Sequence, residues 1–194
     1  LIIEPYFSPY ADQVKMAGAV PVFVETDPDK GFVPSIESIR EKLTDRTKAL
    51  IVNTPNNPSG LCLEKETLEA IGGLAEEKDF FIIADDIYTA FSYDAPFVPI
   101  SSMERFKDRT VTLRSFSKNF AMTGWRIGYI LAAPEFISTV KFVNEQNVYA
   151  APAISQRAAL YALNHRSEVQ PPLVEEFKKR TFHAYERLKK LKNI

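Results

Sequence analysis

Ala49-Leu50-Ile51-Val52, a helical pattern from Glu64 to Lys78, and then Phe80-Phe81-Ile82-Ile83-Ala84: this stretch decides the fold. Both apolar runs are continuous rather than alternating, the mark of strands buried on both faces of a sheet. Between them, Leu68, Ile71 and Ala75 fall on one helix face. Strand, helix, strand in that order implies parallel pairing with a crossover helix.

The pattern extends in both directions. Upstream, Leu1 to Ile3 reads as the end of a buried strand. Pro9 to Ala17 reads as a helix, which Gly18 is placed to end in the left-handed conformation. Val20 to Val24 is β-rich, and Ser35 is a cap for a helix with Ile36, Ile39 and Leu43 on one face. Downstream, Val111 to Leu113 and Ile127 to Ala133 are two more apolar runs. Helical patterns follow at Pro134 to Val148, Ile154 to Asn164 and Glu168 to the end, the last with a stripe of Val174, Phe177, Tyr185, Leu188 and Leu191. Pro171-Pro172 reads either as a hinge or as the first turn of that helix. The expected fold is α/β, a three-layer sandwich around a mostly parallel sheet.

Composition narrows the function. A chain of 194 residues is long enough to bury roughly 70% of the surface it exposes unfolded. Lys plus Arg number 24 against 25 acidic residues, so the basic excess expected of a nucleic-acid partner is missing. The single cysteine, Cys62, excludes an internal disulfide framework. With His165 and His183 it makes a poor zinc set, and no metal site is expected. No apolar run approaches the roughly 20 residues of a membrane helix, and no signal-peptide pattern stands at the start. A cytoplasmic protein with no membrane association is the expectation. The sequence starts at Leu1 inside an apolar run and stops at Ile194 inside a helical pattern, so a piece of a longer chain is also expected.

In open α/β sheets, ligands bind beyond the carboxyl ends of the strands. Those positions hold Glu4-Pro5-Tyr6-Phe7, Asn53-Thr54-Pro55-Asn56-Asn57-Pro58-Ser59-Gly60, Asp85-Asp86-Ile87-Tyr88 and Arg114-Ser115-Phe116-Ser117-Lys118-Asn119. An aromatic, an amide, an acid with a phenol, and hydroxyls with a lysine suit one small, planar, anionic ligand. The glycine-rich nucleotide signatures are absent, as are H-E-x-x-H and G-x-S-x-G. Lys118 stands between Phe116 and Phe120. An apolar setting disfavours an ammonium and makes the amine a usable nucleophile toward a carbonyl, although a solvated loop lysine fits the spacing too.

Three blocks in fixed order carry a resemblance: Asn56 to Gly60, Asp85 to Tyr88, and Ser115-Phe116-Ser117-Lys118-Asn119-Phe120-Ala121-Met122-Thr123-Gly124-Trp125-Arg126-Ile127-Gly128-Tyr129. Together they resemble the class I/II aminotransferases, fold-type-I enzymes that use pyridoxal 5′-phosphate. The resemblance spans almost the whole chain, and the last block is its most specific part.

The resemblance implies a role for each matched position. Lys118 corresponds to the lysine that bonds covalently to the cofactor and, once freed, moves the substrate proton. Asp85 corresponds to the acid that keeps the pyridine nitrogen protonated, so that the ring acts as an electron sink. The spacing to Tyr88 selects Asp85, leaving Asp86 to cap or to face solvent. Tyr88 and Asn57 correspond to donors to the cofactor's phenolic oxygen, and Ser115 and Arg126 to phosphate ligands. Ser117 is either a second phosphate hydroxyl or a turn former. Phe7 corresponds to the aromatic that stacks on the ring, where many relatives have tryptophan; core packing is the other reading.

The resemblance further implies amino-group transfer between an amino acid and a 2-oxo acid in a homodimeric parent. Residues 1–165 would be the core of the large cofactor-binding domain, and 166–194 a helix leading toward a small domain. The family's phosphate loop, its substrate-carboxylate arginine and a tyrosine from the partner subunit match nothing in the 194 residues, so the piece alone is expected to be inactive. Two alternatives stand beside this reading: another reaction on the same site, such as a carbon–sulfur β-lyase or a cyclopropane-forming synthase, and a non-catalytic binding module.

Overall fold

In the computed structural model residues 1–191 are described, and the expected helix positions 192–194 lie outside them. Six strands form one sheet: β1 (Ile2–Ile3), β2 (Phe23–Val24), β3 (Ala49–Asn53), β4 (Phe81–Asp85), β5 (Thr110–Ser115) and β6 (Gly128–Leu131), in spatial order β2-β1-β3-β4-β5-β6. All neighbours pair in parallel except β6, which runs antiparallel to β5. The chain steps from β1 outward to β2, then crosses back to β3 and continues the other way. That reversal between β1 and β3 is the crevice where such sheets bind ligands.

The three layers follow from side-chain alternation along the strands. Leu50, Val52, Ile82 and Ala84 point to one face and are fully buried with Leu68, Ile71 and Leu74 of α3 (Lys65–Glu77) and Ile39 of α2 (Ile36–Lys42). Ser35 starts α2 as expected, its Oγ accepting from the Ser38 amide at 2.9 Å. Ile51 points the other way, toward Tyr10 and Ala11 of α1 (Pro9–Met16). Gly18 adopts φ 76° just beyond that helix.

Several expectations need correction. The continuously apolar strands are not equally buried on both faces: Phe81 is 45% exposed, with its ring centre 6.1 Å from that of Phe136 in α5 (Pro134–Asn147). β6 is an edge strand, mostly exposed. The β-rich stretch from Val20 narrows to two strand residues, with Val20 itself exposed. Pro171 and Pro172 mark neither a hinge nor a first turn. They lie inside α7 (Arg166–Leu188), which follows α6 (Ala153–Asn164) after His165. The apolar stripe of α7 is largely uncovered, although the Phe177 ring meets Phe91 edge-on at 5.4 Å.

Candidate active site at the carboxyl ends of the strands

Asp85 closes β4, and alternation sends its side chain to the α1 face, where it is buried. Burial pushes its pKa up, because a desolvated carboxylate is disfavoured. The Tyr10 hydroxyl, donating to Asp85 Oδ2, and the Ile87 amide oppose this. The same contact and burial push the Tyr10 phenol far up. Asp85 Oδ1 is also buried but has no hydrogen-bond partner. An unmet buried acceptor is costly, so this atom is fitted to a donor from outside the chain.

Asp86 neither caps nor faces solvent, contrary to expectation. It is 1% exposed, with Arg114 Nη2 3.1 Å from its Oδ2. Burial raises its pKa to about 7, Arg114 acting against the shift and Asp85 with it.

Lys118 sits in α4 (Phe116–Asn119), one turn of helix that begins as β5 ends. Ser115 Oγ caps that turn by accepting from the Ser117 amide at 3.1 Å. The lysine is half-buried, with Nζ 5.9 Å from the centre of the Tyr88 ring. Asn57 Nδ2 reaches the Tyr88 hydroxyl at 3.4 Å. Burial raises the Tyr88 pKa and the Asn57 bond opposes it. Asp85, Tyr88, Asn57, Ser115 and Lys118 thus come from three adjacent strand ends and occupy one region. Phe7 lies in the segment between β1 and α1, 41% exposed, its ring 5.6 Å from that of the buried Tyr10 in a T-shaped contact. Ser117 is half-buried. Arg126 is exposed, and its Nη1 donates to the Thr123 carbonyl at 3.0 Å, so its guanidinium is engaged with its own turn.

The family pattern for aminotransferase class I and II matches residues 1–193. A probable aspartate/prephenate aminotransferase of Aquifex aeolicus is 39% identical over 189 residues, covering 96% of this chain and 46% of its own. The aspartate/prephenate aminotransferase of Thermus thermophilus is 42% identical over 166 residues, covering 86% and 43%. Among solved structures, Thermotoga maritima aspartate aminotransferase superposes with a TM-score of 0.92 at 34% identity, covering 97% of this chain and 50% of that one. An aromatic aminotransferase from Pyrococcus horikoshii gives 0.91 at 36%, covering 97% and 52%. The chain belongs to the class I and II aminotransferases. It spans about half the length of the curated relatives it matches, and members of this family use pyridoxal 5′-phosphate.

Within this aminotransferase chain, three polar residues brace the site without having been singled out from sequence. Asn53 Nδ2 donates to the Asp85 carbonyl at 2.8 Å, and its Oδ1 accepts from the Asn57 amide at 2.8 Å. Asn119 Nδ2 donates to Thr89 Oγ1 at 2.9 Å, tying the lysine turn to the segment after Tyr88. Tyr10 is the third. No sequence signal pointed to it, because its partner is 75 positions away. Cys62 Sγ lies 3.5 Å from Ser92 Oγ, and the His165 ring stacks on Tyr161. No cluster among the described residues suits a metal ion, and no helix there is long and apolar enough to cross a membrane.

Proposed function

We propose that this chain carries the cofactor-binding part of an aminotransferase active site, serving amino-group transfer between an amino acid and a 2-oxo acid. The observation that carries the reading is Asp85 Oδ1: a buried acceptor without a partner, beside a lysine, a phenol and an amide. Pyridoxal 5′-phosphate fits that donor and acceptor set. Bound, it supplies a reactive carbonyl carbon and an electron-withdrawing ring.

The residues divide the work. Asp85 Oδ1 would accept the N–H of the pyridine nitrogen and keep it protonated, a charge-assisted bond worth about 1.5–3 kcal/mol. Tyr10, on Oδ2, favours the ionised carboxylate that this needs. Tyr88 and Asn57 donate to the phenolic oxygen. Phe7 packs against the ring face, adding about 0.5–1.5 kcal/mol beyond burial. Ser115 and Arg126 would hold the phosphate, and Ser117 would offer a further hydroxyl. Lys118 Nζ would supply the amine nucleophile toward the carbonyl carbon and, when free, a base for the substrate Cα proton. Residues 1–165 form the core of the large domain, with 166–194 leading from it. Apolar side chains left exposed on α5 and α6 support a homodimeric parent. The names of the relatives favour aspartate as amino donor. A β-lyase reading would show thiol or ammonia release instead of keto acid.

The test is chemical. Borohydride reduction of the full-length protein loaded with pyridoxal 5′-phosphate, followed by peptide mapping, is expected to place the pyridoxyl mass on Lys118. A label on Lys107 or Lys141 instead would sink the assignment.

A further inference from the structure

The buried Asp86 and the partly buried Arg114 form a charge pair that the proposed chemistry leaves unused. Arg114 Nη2 is 3.1 Å from Asp86 Oδ2, yet neither Asp86 oxygen receives a well-aligned hydrogen bond. The guanidinium also lies 5.6 Å from the Phe97 ring centre, over its face. Stability alone is a weak reason for such a pair, since desolvation offsets the attraction and apolar residues of like volume often serve as well.

Its place is more telling. Asp86 directly follows Asp85, and Arg114 directly precedes Ser115, the cap of the Lys118 turn. Asp85 sits opposite Leu113 in the β4–β5 register, and the Asp86 amide donates to the Leu113 carbonyl at 3.1 Å. Alternation puts Asp85 and Ser115 on the site face and the pair on the opposite face. The two charges therefore meet behind the two strand ends that carry the acid and the lysine.

We propose that the Arg114–Asp86 pair is a positioning device, pinning the ends of β4 and β5 together so that Asp85 and Lys118 keep the separation that pyridoxal 5′-phosphate requires. This rests on the functional reading above. Arginine suits the task because its planar group lies over Phe97 while facing a carboxylate, which a lysine does less well.

The experiment uses the full-length protein as wild type, Arg114→Ala, Arg114→Lys and the apolar double variant Asp86→Leu/Arg114→Met. For each, the affinity of the cofactor-free protein for pyridoxal 5′-phosphate is measured by absorbance titration, alongside melting temperature with and without cofactor. Arg114→Ala is expected to lose about tenfold in cofactor affinity, and Arg114→Lys to recover part of it. The double variant is expected to regain cofactor-free melting temperature but not affinity, which a merely structural pair would not produce. Affinity that follows the cofactor-free melting temperature across all variants overturns the proposal, as does unchanged affinity in Arg114→Ala. A wild type that forms no Lys118 adduct overturns the functional reading and this inference with it.

Discussion

Asp85 and Asp86 are adjacent in sequence and opposite in surroundings. The Asp85 carboxylate takes a phenol on Oδ2 with the Ile87 amide beside it, and its Oδ1 is buried and unpartnered among the described residues, while Asp86 lies against a guanidinium. Tyr10→Phe removes the donor to Asp85 Oδ2, leaving a buried carboxylate oxygen unpaired at a cost of about 1–3 kcal/mol. The Asp85 pKa then rises further, and the neutral acid persists to higher pH. The acidic limb of cofactor binding is expected to move to higher pH in a titration series; an unmoved limb would dismiss Tyr10 as a tuning group. Asp86 gives a separate signature in stability. Its folded pKa is raised by burial to about 7, above the ordinary carboxylate value of 3.8. Between those values the folded chain binds more protons than the unfolded one, so stability falls as pH rises and levels off above the folded value. Asp86→Asn removes that slope. Chemical denaturation is expected to show the variant gaining on wild type from about pH 4 to 7, by at most about 1.4 kcal/mol per pH unit. A constant difference across that range would contradict this origin of the slope.

The element that matters most is the join of β5, α4 and β6. Ser115 ends a strand, caps a one-turn helix and pairs with Gly128 of the antiparallel edge strand. A Cβ on Gly128 would lie 2.6 Å from the Arg114 carbonyl oxygen, which is backbone and cannot swing away. Gly128→Ala must therefore push β6 from β5, at an expected cost of about 1–3 kcal/mol. The displaced strand end is also expected to lower borohydride labelling of Lys118. Wild-type stability and labelling in this variant would show that the edge strand is free to shift. The prolines inside α7 belong to the same scale. Their missing amides fall in its second turn, where the chain passes Asn119 and Gln170 donates to that residue's carbonyl at 3.2 Å.

At the scale of the whole molecule, each face of the sheet is closed in part. α2 and α3 bury the first over β3 and β4, but Tyr129 and Leu131 of β6, paired with Arg114 and Thr112 on that face, stay accessible. On the other, α1 covers β1 and β3, but Phe81 stays accessible. Phe142, Tyr149, Ile154 and Tyr161 on and between α5 and α6 are each more than 60% exposed. Apolar surface of that extent marks an interaction face or an association hazard. The 194-residue chain by itself is expected to self-associate, with a weight-average mass in sedimentation that rises with concentration. A strictly monomeric solution would show that these side chains tolerate water without a partner.

By itself, the sequence determined the strand–helix–strand order, the parallel core around Ala49 to Ala84, and the strand-end positions of Asn57, Asp85, Tyr88, Ser115 and Lys118. These were legible because apolar periodicity and motif spacing are local, and a strand end fixes where the next residues emerge. What surrounds each side chain was decided by tertiary structure. Tyr10 meets Asp85 across 75 positions, Arg114 meets Asp86 because two strands pair in one register, and β6 turns antiparallel onto an exposed edge. Periodicity says which residues are apolar, but not which layer covers them. The charge state of a buried acid likewise depends on the donors that folding brings to it, and those lie far away along the chain.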